Sequence, residues 1–192
     1  MPKNIILFAS GSGSNAENLT KYFERDPRVR IRAVLGNNLQ AGVVERCKRL
    51  GLPFYGFNRA AFEDPGGFVG VLRSFDPDLI VLAGFLWKVP GEVVRAFPDA
   101  IINIHPALLP AYGGKGMYGM HVHRAVVQDG AKRTGITVHY VNEAYDEGAV
   151  IMQQEIPVTS GDTPESVAEK VHALEYEYFP KAVESVLFPG HG

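Results

Sequence analysis

Asn103 and His105 are the pair in this chain whose types and spacing could do chemistry. They lie in the run Ala100-Ile-Ile-Asn103-Ile-His105-Pro106-Ala-Leu-Leu-Pro110, which reads as an apolar strand over 100–104 stopped by two prolines. Side chains alternate along a strand, so Asn103 and His105, two positions apart, project to the same side while Ile102 and Ile104 go to the other. The result is a hydrogen-bond donor beside a titratable imidazole, a pairing suited to acid catalysis. A turn-capping asparagine next to a strand-end histidine satisfied by backbone would leave the same letters. Asp146, in the polar loop Val141-Asn-Glu-Ala-Tyr-Asp146-Glu-Gly148, reads first as an ordinary turn aspartate, and its functional case depends on reaching His105.

The elements that must hold these residues alternate. Strands are expected over 4–10, 29–37, 53–57 and 79–83, with a helical stretch after the 11–16 loop to about 23 and helices over 42–50, 65–75 and 90–96. The run 79–83 is apolar on both faces, as in a central parallel strand covered by helices on both sides. This alternation implies an α/β fold, a mostly parallel, doubly wound, Rossmann-like sheet with ligands at the carboxyl ends of its strands. A helix over 121–129, strands over 134–140 and 150–156, and a helix from Pro164 with the stripe Val167, Val171, Leu174 and Tyr178 complete the chain. One domain over 1–192 is expected, with 1–99 as a phosphate-binding half and 100–192 as a catalytic half.

Gly11-Ser-Gly-Ser-Asn15 follows the first strand, where glycines admit close approach and a helix N-terminus attracts anions, with Asn15 expected as its cap. The G-x-G-x-x-A spacing also fits a dinucleotide site. The strand over 29–37, however, ends in Gly36-Asn37-Asn38 where a ribose-binding carboxylate is needed, which disfavours NAD. A mononucleotide or sugar phosphate suits the loop better; a glycine turn without ligand is the alternative. The apolar, aromatic loop Gly84-Phe-Leu-Trp-Lys-Val-Pro90, after the central strand, suits either a wall for a flat ring or ordinary packing. The glycine-rich 112–119 stretch fails as a P-loop, since Gly116 follows Lys115.

Composition narrows the classes. With 19 Lys and Arg against 21 Asp and Glu, the net charge of -2 offers no general footprint for nucleic acid. The longest apolar run is far short of the ~20 residues a membrane span needs, and no cleavable leader is visible, so a cytoplasmic protein is expected. The one cysteine, Cys47, cannot form an internal disulfide and reads as a packed thiol. His105, His121 and His123 invite a metal, but no zinc-ligand motif or cysteine cluster accompanies them, so no metal is expected.

The run from Asn103 to Pro110, with Gly-Ser-Gly-Ser-Asn15, Val81-Leu-Ala-Gly-Phe85 and the Asp146 loop in that order, resembles the formyltransferase superfamily, and within it the phosphoribosylglycinamide formyltransferases. The resemblance spans nearly the whole chain. It implies a catalytic triad at Asn103, His105 and Asp146, a substrate-phosphate loop at Gly13, Ser14 and Asn15, and a ribonucleotide contact at Glu175. It further implies a folate pocket formed in part by Leu86, Trp87, Lys88 and Val89 and by Val141, Asn142 and Glu143. The implied reaction is formyl transfer from 10-formyltetrahydrofolate to the amine of glycinamide ribonucleotide in purine synthesis, through a tetrahedral intermediate stabilised by Asn103 and His105. Partners would be these two small molecules, with no nucleic acid or membrane and a homodimer as one open assembly. Two departures stand out: the 112–119 stretch is longer and richer in glycine than in many members, and no arginine lies between Ala60 and Gly70, where the family has one that contacts folate. Formyltransferases acting on initiator tRNA and folate deformylases share the Asn-His core but are expected to carry an additional domain. A non-catalytic nucleotide-binding module would need only the glycine loop.

Overall fold

The computed structural model describes residues 1–190; residues 191 and 192, which the single-domain expectation included, lie outside the described residues. Hydrogen bonding arranges the strands β1 (Lys3–Phe8), β2 (Val29–Gly36), β3 (Phe54–Gly56), β4 (Leu79–Leu82), β5 (Ile101–His105), β6 (Arg133–Tyr140) and β7 (Val150–Pro157) in one seven-stranded sheet, in the order β3-β2-β1-β4-β5-β6-β7. The chain forms two compact units, Met1–Ile102 with the segment from Val183 onward, and Asn103–Ala182.

In the first unit β1 pairs in parallel with both β2 and β4, and β2 with β3. The strand order reverses beside β1, which makes the crevice beyond the carboxyl ends of β1 and β4 the expected ligand position. Every residue of β4 is buried, in keeping with its unbroken apolar sequence. Helices α1 (Ser14–Phe23), α2 (Gly42–Leu50), α3 (Arg59–Phe62), α4 (Pro65–Ser74) and α5 (Gly91–Ala96) connect these strands. Asp64 caps α4 by accepting from the Gly67 N–H at 3.3 Å. The four-residue α3 has no sequence periodicity to announce it and rests on Asn58, whose side chain accepts from the Ala61 N–H at 2.9 Å. Phe8, Phe57, Phe62, Phe68 and Phe85 pack edge to face or stacked, with Trp87 at the margin of the cluster.

The α1 cap differs from expectation. The helix starts at Ser14, and the cap is Gly13 in the left-handed region at φ 77° with no side-chain cap bond, so Asn15 sits inside the first turn. Only a glycine suits that position: a Cβ there would stand 2.6 Å from Val43.

The second unit holds α6 (Met120–Gln128), the antiparallel β6–β7 pair and most of α7 (Pro164–Leu187). Thr163 and Ser166 cap α7 reciprocally, Ser166 N–H to Thr163 Oγ1 at 3.2 Å and Thr163 N–H to Ser166 Oγ at 3.0 Å. The buried ridge of α7 is not the expected one. Leu174 and Tyr178 are only half-buried, whereas Val167, Val171, Glu175 and Phe179 are buried at a strict four-residue step. A carboxylate therefore interrupts an apolar ridge, which is costly without a partner.

Candidate active site

β5 ends one residue later than its sequence suggests, so Asn103 and His105 both belong to the strand. The segment after it is tied down by β6 and β7. The Thr137 hydroxyl donates to the Ala107 carbonyl at 2.7 Å and accepts from the Leu109 N–H at 3.0 Å, and Gln153 Nε2 donates to the Leu109 carbonyl at 2.9 Å.

Four side chains converge in the second unit. His105 Nδ1 lies 3.6 Å from Asp146 Oδ2, and His139 Nε2 lies 3.7 Å from Asp146 Oδ1. Asn103 Nδ2 lies 3.2 Å from His139 Nε2. His105 and His139 are 3% and 2% exposed, so their ring nitrogens depend on protein partners.

Those partners fix the proton positions. His139 Nδ1 is 2.9 Å from the Tyr140 carbonyl, which can only accept, so Nδ1 carries a hydrogen. In the neutral ring Nε2 is then an acceptor, and the Asn103 amide donates to it. Burial, chiefly, pushes the His139 pKa below the usual histidine value, and the His105 charge adds to this; the Tyr140 carbonyl and Asp146 oppose it without cancelling it. His105 Nε2 lies 2.7 Å from the Tyr112 carbonyl and by the same reasoning is protonated, which leaves Nδ1 facing Asp146. Asp146 also accepts from the Gly114 N–H at 2.9 Å, joining the glycine-rich loop to the carboxylate. Tyr112 and Asp146 both adopt left-handed backbone, φ 56° and 54°, a conformation uncommon for residues other than glycine.

Sequence reasoning paired Asn103, His105 and Asp146 and missed His139. The available signal was the alternation of β6, which puts Thr137 and His139 on one face. Glu175 is buried and accepts from His172 Nδ1 at 2.9 Å, a bond that raises the His172 pKa. His123 is buried as well, with Nδ1 lacking a hydrogen-bond partner among the described residues. Its pKa is lowered by burial first and then by the nearby His172 charge. Val141 is half-buried, Asn142 and Glu143 are exposed, and Asn142 turns the loop by accepting from the Ala144 N–H at 3.0 Å.

The remaining expected site residues belong to the first unit. Gly13, Ser14 and Asn15 form the start of α1, with Asn15 buried. Ser10, just past the end of β1, meets the segment after β4: its N–H donates to the Gly84 carbonyl at 3.0 Å and its hydroxyl accepts from the Leu86 N–H at 3.0 Å. In that segment Leu86 and Lys88 are exposed, Trp87 is half-buried and Val89 is buried. The Arg59 guanidinium lies 4.9 Å from the Trp87 ring centroid, and Arg59 stands one position before the 60–70 stretch that lacks an arginine. Among the described residues no group of three or more His, Cys, Asp or Glu could hold a metal ion, and no helix is long and apolar enough to cross a membrane.

The formyl transferase family matches the chain over residues 3–183. The chain is similar to the chloroplastic phosphoribosylglycinamide formyltransferase of Arabidopsis thaliana, 40% identical over 191 residues, 96% of this chain and 65% of that protein. It is also similar to the phosphoribosylglycinamide formyltransferase of Bacillus subtilis, 33% identical over 190 residues, 96% of this chain and 95% of the relative. The chain thus spans less than two thirds of the plant protein's length and nearly all of the bacterial one. Among solved structures, glycinamide ribonucleotide transformylase 1 of Geobacillus kaustophilus superposes with a TM-score of 0.88 at 30% identity, covering 98% of this chain and 100% of that one. The phosphoribosylglycinamide formyltransferase of Anaplasma phagocytophilum gives 0.87 at 35% identity, covering 97% and 88%.

Proposed function

The chain belongs to the formyl transferase family, and from that premise we propose that it formylates the primary amine of glycinamide ribonucleotide in purine biosynthesis. The observation that carries this reading is the convergence of Asn103, His105, His139 and Asp146 in one unit. In this reading the protein is a cytoplasmic enzyme acting on two small molecules.

The formyl donor, 10-formyltetrahydrofolate, would supply an amide-like carbonyl carbon open to attack by an amine. The surface of the first unit fits such a molecule: Leu86 exposes apolar area, Trp87 offers a ring, and Arg59 beside it is a cation for a carboxylate-bearing tail. We assign Leu86, Trp87, Lys88 and Val89 to the folate, with Val141, Asn142 and Glu143 in the second unit. Gly13, Ser14 and Asn15 are assigned to the ribonucleotide phosphate and Glu175 to the remainder of that substrate.

The amine itself is the nucleophile, so the side chains have two tasks. One is to receive the negative charge that develops on the formyl oxygen. Asn103 spends one N–H on His139, and its second N–H is the donor for that oxygen. His105 contributes a positive charge when doubly protonated, and Asp146 beside Nδ1 balances it. The other task is moving a proton from the attacking amine toward the departing folate nitrogen, for which Asp146 is the acceptor, acting through water. Held ends of the two substrates make the attack effectively intramolecular.

The deciding experiment offers 10-formyltetrahydrofolate with glycinamide ribonucleotide, methionyl-tRNA or water as acceptor. Formylation of the ribonucleotide is the expected result. Consumption of either other acceptor, or of none, would overturn the reading.

A further inference from the structure

Arg46 lies on α2, yet its side chain turns toward the loop that precedes α1. Nε donates to the Ser12 carbonyl at 2.7 Å, and Nη1 donates to Glu17 Oε2. Glu17 is the anchor of this arrangement. Its side chain is 10% exposed, and it also receives Arg49 Nη2 and Lys21 Nζ, each at 2.7 Å. The Lys21 ammonium foremost, then Arg46 and Arg49, hold the Glu17 carboxyl at about 2 despite its burial.

The carbonyls on either side of Ser12 are held too. The Val43 N–H donates to the Gly11 carbonyl at 3.1 Å and the Glu17 N–H to the Gly13 carbonyl at 2.9 Å. All these peptides are trans, and in a planar trans peptide the N–H points opposite the preceding C=O. Fixing the Ser12 carbonyl therefore fixes the direction of the Gly13 N–H. The Ser12 carbonyl is held by a side chain, that of Arg46.

We propose that Arg46, tethered by Glu17, is a positioning residue of the phosphate loop, orienting the Gly13 amide toward the phosphate of the ribonucleotide. This rests on the assignment of Gly13, Ser14 and Asn15 to that phosphate. Three cations around one carboxylate also leave positive charge in excess beside the loop, which favours a dianion.

The test measures steady-state kinetics on the full chain with glycinamide ribonucleotide and, in parallel, with the riboside that lacks its phosphate. Arg46→Met is expected to raise KM for the ribonucleotide about tenfold, to leave kcat within about twofold, and to leave kcat/KM for the riboside unchanged. Arg46→Lys should recover part of the loss. An unchanged ribonucleotide KM, or equal losses on both substrates, would overturn the positioning role, because general weakening of the fold does not select for the phosphate. If the wild type treats ribonucleotide and riboside alike, the phosphate-loop assignment fails and the role of Arg46 falls with it. Should Arg46→Met not fold, Glu17→Gln, which releases Arg46 from its anchor, is expected to produce the same selective rise, and its absence would count against the proposal equally.

Discussion

Asn103 donates to His139 Nε2 across 3.2 Å because the opposite ring nitrogen is committed to the Tyr140 carbonyl at 2.9 Å. One hydrogen bond on the far side of an imidazole thereby sets the orientation of an amide on another strand.

Removing Asn103 and removing its support should differ in size. Loss of a preorganised oxyanion donor lowers kcat by roughly 10²–10³, so Asn103→Ala is expected in that range. His139→Ala leaves the amide present but free to turn, and a smaller loss of about tenfold follows. Equal losses in kcat, measured at saturating substrates, would show that His139 does more than orient Asn103.

His105 and Asp146 should separate by pH. His105→Ala is expected to lower kcat far more than it raises either KM. Asp146→Asn retains the size of the side chain but not its charge beside Nδ1, so the acid and base limbs of the kcat profile should move. A profile that keeps its shape would remove the coupling between the two residues.

At Gly13 a methyl group meets Val43 at 2.6 Å, and the backbone stands at φ 77°. Gly13→Ala must therefore displace the loop or the start of α2, and weaker binding of the ribonucleotide is expected, seen as a raised KM. Undiminished affinity would place the phosphate elsewhere.

Stability should fall on the acid side. The pKa values of His139 and His123 are depressed in the native state from 6.5, mainly by burial, so the unfolded chain binds more protons once the pH drops below that value. Their contribution is present above about 6.5 and lost as the pH falls through the native values. His172 has the opposite sign, since its bond to Glu175 raises its pKa and its contribution is lost as the pH rises. Urea midpoints are expected to decline between about pH 7 and pH 5, with a smaller decline in His123→Leu. An unchanged slope in that variant would remove His123 from the balance.

Local patterns carried much of the fold. The all-apolar run of β4, the alternation of β6 and the Thr163 cap of α7 are short-range signals, and each element formed within a residue or two of its expected bounds. Elements without such a signal escaped: α3 is too short for a period, and the α1 cap fell on Gly13 because a left-handed glycine starts the helix without a side chain. The α7 ridge was misread for a related reason. Apolar residues alone pointed to Leu174 and Tyr178, whereas the buried position is taken by Glu175, a carboxylate that no hydrophobic pattern selects.

The sequence by itself determined the element types, the residues able to donate, accept or carry charge, and the family, since these follow from side-chain chemistry and spacing along the chain. Only the tertiary structure decided which of them meet. Asp146 reaches His105 from 41 positions away, and His139 reaches Asn103 from 36. Such contacts depend on strand order and on the path of the loops after β5 and β6, and neither leaves a periodic trace in the residues that make the contact.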